Sequence, residues 1–134
     1  MTTFSNIQVI LYVLDQDRST KFYSELFRTK PSLNVPGMTE FTLAPNFKLG
    51  LMPNHGISKI IYPIMPDPNL GNGIPRCEVY LHVDDLQSLF EKATKLGAKC
   101  ISEIEDRDWG DTVCYFADPD GHVLAFAQKT GVVY

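Results

Sequence analysis

One pattern of strand and helix signals is written twice in this chain, and that repeat constrains the fold more than any other feature. Residues 7–14 alternate, with Val9, Leu11 and Val13 on one face and Gln8, Ile10 and Tyr12 on the other. Asp15 or Asp17 can cap a helix over about residues 18–28, with Phe22 and Leu26, joined by Tyr23 and Phe27, as its buried stripe. Three short β-runs follow, at about residues 33–35, 39–43 and 47–52, separated by Pro36-Gly37 and Pro45-Asn46 turns. The same order returns after residue 77. Val79, Leu81 and Val83 alternate with Glu78, Tyr80 and His82, and Asp84 or Asp85 caps a helix with a Leu86, Leu89, Phe90, Ala93 and Leu96 stripe. Gly97 ends that helix, and strands are predicted near residues 99–104, 112–116 and 122–128. Placing Asp15 on Asp85 puts Gln8 on Glu78 and Tyr12 on His82. Two βαβββ units, residues 7–53 and 77–128, imply an α+β domain spanning 1–134 with mixed sheets. Apolar faces pack under the helices, and the opposite faces are expected to line a concave cleft.

Residues 54–76 break the pattern. Four prolines and Gly71 and Gly73 mark a long connection or exposed edge. Ile60, Ile61, Tyr62, Ile64 and Met65 are too apolar for a free linker, so they are expected to pack on the domain or at a subunit contact. His55, in Pro-Asn-His-Gly, reads as a solvated loop residue.

The rest of the composition works by exclusion. With 134 residues the chain fits one domain with a real core, and a net charge of −4 without a Lys/Arg cluster argues against nucleic acid as a partner. No apolar run is long enough to span a bilayer and residues 1–6 do not read as a signal peptide, so a cytoplasmic protein without a membrane partner is expected. Cys77, Cys100 and Cys114 form no CxxC pair and read as reduced thiols. No phosphate-binding glycine loop, GxSxG elbow or readable Cys/His pairing is present.

Four motifs carry a family resemblance: Asp15-x-x-x-Ser19 with Phe22-Tyr23, Val83-Asp84-Asp85-Leu86, Asp108-Trp109-Gly110, and Phe116-x-Asp118-Pro119-Asp120-Gly121. Together with the repeat they resemble the vicinal oxygen chelate superfamily, which includes glyoxalase I, bleomycin-resistance proteins and extradiol dioxygenases. The likeness runs from about residue 7 to residue 128. It implies a divalent metal held by His, Glu or Gln donors from corresponding strands of both units, stabilising charge on adjacent substrate oxygens. By the same resemblance, the first-strand donors fall on Gln8 and Glu78. The donor after the Asp-Pro-Asp-Gly turn falls on Ala125, and the last falls within residues 48–52, which hold no carboxylate or imidazole. At most two of four donors survive, and neither zinc nor magnesium is held well by so few. His82, two residues past Glu78 on the same face, could assist.

The expectation is a small-molecule-binding protein without a cofactor, a homodimer, taking a small aromatic or cationic compound between Gln8, Tyr12, Glu78, Tyr80, His82 and Trp109. Each of these has a plainer role: Glu78 an edge carboxylate, His82 a satisfied core histidine, Tyr12 and Tyr80 packing residues, Trp109 a cap on the core. The acidic run Glu103, Glu105, Asp106 and Asp108 is ordinarily a solvated edge, but beside a pocket it would favour a cation. The alternative is a glyoxalase- or dioxygenase-type enzyme with a degenerate metal site of Gln8, Glu78 and His82. A third reading is a scaffold module using residues 60–65 as an interface. Whether the units pair within a chain or swap between chains is not encoded in periodicity.

Overall fold

A computed structural model describes residues 2–131; the ends of the 1–134 span fall outside the described residues. The chain divides into two compact units, Met1–Asn72 and Gly73–Tyr134, each built on a four-stranded mixed sheet.

In the first unit, β1 (Ile7–Val13) leads into α1 (Gln16–Phe27), then β2 (Leu33–Val35), β3 (Met38–Ala44) and β4 (Phe47–Pro53). The sheet order is β1-β4-β3-β2, with β1 and β4 parallel and the other pairs antiparallel. A parallel pair needs a long crossover, which α1, β2 and β3 supply. Asp15 caps α1 by accepting from the Arg18 N–H at 3.1 Å. The buried face of α1 is Ser19, Tyr23 and Leu26, so Tyr23 rather than Phe22 lies deepest. Phe22 is half-buried and packs edge-on against Tyr23. Tyr23 and Phe27 meet Phe41, and Leu11, Val13, Leu49 and Leu51 complete the core.

The second unit repeats the plan: β5 (Glu78–His82), α3 (Leu86–Lys95), β6 (Lys99–Asp106), β7 (Asp111–Ala117) and β8 (Val123–Lys129), in the order β5-β8-β7-β6. Here Asp85 caps α3 through the Ser88 N–H at 3.0 Å, and the Gln128 side chain accepts from the Leu86 N–H. Gly97, at φ 81°, follows the helix in the left-handed region that the sequence assigns to it. Leu86 and Ala93 are buried, Phe90 packs on Phe116, and Phe126, Leu124 and Cys114 form the sheet side of the core. Burial pushes the Cys114 thiol up to about 11, with Cys100 adding to the shift. Cys77 and Cys100 are exposed.

Residues 54–76 are not a plain connection. They open with α2 (Asn54–Ile61), which carries His55, and include a 3-10 turn at Pro68–Leu70. Ile57 anchors α2, whereas Ile60, Tyr62, Ile64 and Met65 are all exposed. Of the two alternatives expected for this apolar run, packing on the domain holds only for the half-buried Ile61, beside the buried Ile57 of the same helix. Among the described residues no helix is long and apolar enough to cross a membrane.

Two outcomes follow from this packing. Phe126→Ala should destabilise the protein by about 3–5 kcal/mol in urea unfolding, since the fully buried ring leaves a cavity. Maleimide labelling of the folded protein should modify Cys77 and Cys100 and spare Cys114 until denaturant is added.

Candidate functional site

In each unit, the sheet face opposite the helix carries the residues singled out above. Register fixes which of them are neighbours. In the first unit Gln8 pairs with Lys48, Ile10 with Gly50 and Tyr12 with Met52. In the second, Glu78 pairs with Val123, Tyr80 with Ala125 and His82 with Ala127. Gly50 and Ala125 therefore hold corresponding places on the last strands of the two units. Ala125 is a position where the resemblance implies a metal donor, and Gly50 lies within the stretch 48–52 to which it assigns another; both are minimal residues.

The space at each is already occupied. A Cβ on Gly50 would lie 2.7 Å from Gln8 Nε2 and 3.1 Å from Ile10 Cγ1. That Gln8 amide donates to Glu40 Oε2 at 3.0 Å, and Lys48 Nζ lies 3.4 Å from Glu40 Oε1. Gln8 thus belongs to a Gln8–Glu40–Lys48 cluster across β1, β3 and β4. Ala125 is buried with Val113 and Ala127, and the rings of Tyr80 and Tyr115 pack against this cluster. Tyr12 lies partly exposed on the first unit's face, and Glu78 lies exposed on the second's.

Tyr80, His82 and Trp109 are brought together, and the residue that gathers them is one the sequence reading missed. Asp111 opens β7 and is only 6% exposed at its side chain. Its Oδ2 accepts from the Tyr80 hydroxyl at 2.6 Å, and that hydroxyl accepts from Trp109 Nε1 at 2.8 Å. His82 Nε2 stands 3.7 Å from the same Oδ2, with its ring 5.5 Å from Tyr80's. Oδ1 is buried without a hydrogen-bond donor, and its counter-charge is Lys129 Nζ at 3.7 Å. Trp109 reaches this place because Arg107-Asp108-Trp109-Gly110 is a tight hairpin turn. The Gly110 N–H donates to the Arg107 carbonyl, and Gly110 takes φ 91°.

Beside it, Arg107 stacks over the Tyr115 ring at 5.4 Å, donates to Ser102 Oγ and lies 3.5 Å from Glu105. Part of the acidic run is therefore neutralised, and Asp106 accepts from the Thr112 hydroxyl. A signal for Asp111 was present: with residues 111, 113 and 115 alternating, it shares the Tyr80 face and stands opposite Lys129.

A depression of about 410 Å³ lies in the first unit beside the α1 N-terminus, lined by Asp15, Gln16, Asp17 and residues 34–37. Its groups are structural. Asp15 caps the helix, and the Gln16 amide bonds the Val35 carbonyl, Thr39 Oγ1 and the Gly37 N–H.

The Tyr80 hydrogen bond holds the Asp111 carboxyl below its ordinary value; burial opposes this, while Lys129 and His82 assist. Burial, followed by the Asp111 hydrogen bond, raises the Tyr80 phenol. In the acid window the unfolded chain then binds more protons than the folded one, so stability rises with pH. This contribution is complete above about pH 4 and is lost as pH falls through the depressed Asp111 value. Urea midpoints measured from pH 7 to pH 3 should fall less steeply at the acid end for Asp111→Asn than for the parent chain.

Residues 6–129 match the profile of the family described as Glyoxalase-like domain. An uncharacterized protein of Mycobacterium bovis is 26% identical over 121 residues, covering 88% of this chain and 79% of its own length. A glyoxalase/bleomycin resistance protein/dioxygenase family enzyme from Burkholderia phytofirmans superposes with a TM-score of 0.78 at 15% identity, covering 92% of this chain and 97% of that one. A glyoxalase-related enzyme from Fulvimarina pelagi gives a TM-score of 0.74 at 20% identity, covering 90% and 84%. Paired βαβββ units, their shared register and a family match over nearly the whole chain agree: the chain belongs to the glyoxalase-like family.

Proposed function

We propose that this domain binds a small aromatic or cationic molecule without the help of a divalent metal, and that sequestration by binding is its activity. The observation that carries the reading is the pair Gly50 and Ala125. Neither has a donor atom, and the space beside each is taken, by Gln8 in one unit and by Tyr80 and Tyr115 in the other. Gln8 Nε2 is engaged with Glu40, and Glu78 is the one carboxylate at a family position. A single carboxylate does not offset the dehydration of a divalent cation. Within either unit, no three His, Cys, Asp or Glu side chains among the described residues converge as a metal site.

Ligand contact is assigned to Trp109, Tyr80, His82 and Glu78 on the second unit's face, and Gln8 and Tyr12 are the candidate contacts on the first unit's own face. Exposed aromatic rings beside a few fixed polar groups are what a flat ligand requires. The exposed run of Ile60, Tyr62, Ile64 and Met65 supports a homodimer through this segment. A cytoplasmic setting fits the reduced, unpaired cysteines.

Elemental analysis after dialysis against Ni²⁺, Mn²⁺, Fe²⁺ and Zn²⁺ tests the proposal. Protein passed through a chelator-free wash should retain far less than one equivalent per chain, and EDTA should leave ligand binding unchanged. One retained equivalent, lost in Glu78→Ala, would instead establish the degenerate metal enzyme built from Gln8, Glu78 and His82.

A further inference from the structure

The Asp111 corner has a property that simple aromatic binding does not explain. It buries a carboxylate and leaves one oxygen without a donor. Oδ2 accepts from Tyr80 and has His82 Nε2 at 3.7 Å, whereas Oδ1 has the Lys129 ammonium at 3.7 Å, beyond hydrogen-bond length. The Lys129 side chain is 83% exposed, so a long solvated stem supplies the counter-charge. Such a contact is weak, because immobilising the stem offsets most of the attraction. A buried oxygen lacking a donor is otherwise costly and calls for a partner.

We propose that this corner receives a flat ligand through a hydrogen-bond-donating cation, an amidine, guanidine or primary ammonium, which displaces the Lys129 ammonium from Asp111 Oδ1. This rests on the metal-independent binding reading and names the ligand class for it. Three features favour that chemistry. The Trp109 ring is 58% exposed, and its N–H is held by the Tyr80 hydroxyl, so the indole is fixed with surface free for stacking. The His82 side chain, 54% exposed, stands beside Tyr80, and cations are attracted to the faces of tyrosine and tryptophan rings. Glu103, Glu105, Asp106 and Asp108 give the same hairpin an acidic surround, and the cation at its turn, Arg107, is engaged by Ser102, Glu105 and Tyr115. A quaternary ammonium has no N–H for Oδ1, and an anion would meet Asp111 directly. Lys129 then acts as an internal competitor that sets the affinity.

Trp109 is the sole tryptophan, so its fluorescence reports on this corner. The intact chain, in buffer containing EDTA, is titrated with benzamidine, benzyltrimethylammonium, benzyl alcohol and benzoate. Benzamidine should quench saturably, and benzyltrimethylammonium should bind about tenfold more weakly. Asp111→Asn should weaken benzamidine about tenfold. Lys129→Ala, a change at an exposed side chain, should tighten it about threefold by removing the competitor. Equal affinity for benzamidine and benzyltrimethylammonium, or no tightening in Lys129→Ala, would overturn the proposal. Binding of benzyl alcohol or benzoate in place of benzamidine would also overturn it, while leaving metal-independent binding intact. Binding of any probe only after a divalent metal replaces EDTA would overturn both.

Discussion

The parallel pairing of first strand with last strand organises each unit. Parallel neighbours cannot be joined by a tight turn, so the chain must cross over, and here a capped helix and two antiparallel strands fill the crossover. The pairing also fixes what faces what. Once Leu11 lies beside Leu51 under α1, Ile10 must lie beside Gly50 on the other face. In the second unit, Leu81 beside Phe126 places Tyr80 beside Ala125. A slip of one residue would turn every core side chain outward, so the apolar core holds the site-bearing face in register.

On that shared frame the two units have diverged. Each has a small residue at the centre of its last strand, but the vacated space is used differently. The first unit fills it with a polar cluster, Gln8, Glu40 and Lys48, in which amide, carboxylate and ammonium satisfy one another. The second covers Ala125 with two tyrosines and sends the Tyr80 hydroxyl to a buried carboxylate. In the first arrangement each Glu40 oxygen faces a side-chain donor. The second is held in shape by the Trp109–Tyr80–Asp111 chain yet leaves one carboxylate oxygen without a donor. Exposed aromatic surface beside one buried oxygen without a donor is the observation on which the binding proposal rests.

Much of this was legible in the sequence because period two and period 3.6 are strong signals here. The strands, both long helices, the Asp15 and Asp85 caps and the Gly97 stop come from local chemistry alone. What escaped depended on something non-local. Helix α2 is short, contains Gly56 and is flanked by Pro53 and Pro63, so its local signal reads as a loop, although Ile57 is buried. Tyr23 displaced Phe22 as the deepest residue of α1 because Phe41 waits on β3, a contact that no helical wheel contains. Asp111 was hidden by company. After Glu103, Glu105, Asp106 and Asp108 it reads as one more solvated acid, and only the strand register carries it inward to Tyr80.

That burial also explains why Asp111 cannot be an incidental edge residue. An isolated carboxylate removed from water is strongly disfavoured, and Lys129, at 3.7 Å and largely solvated, does little to compensate. The compensation comes from the short bond donated by Tyr80, whose oxygen is in turn positioned by the Trp109 indole. Each link depends on the one before. The hairpin turn at Gly110 aims Trp109, Trp109 orients the Tyr80 hydroxyl, and that hydroxyl keeps Asp111 ionised. A chain of three groups, supplied by a turn and two strands, thus maintains a negative charge just beneath exposed aromatic surface. Folding alone could have used a hydrophobic residue at this place with less penalty. The retained charge sets the second unit's face apart from the first, where Glu40 is paired with Lys48.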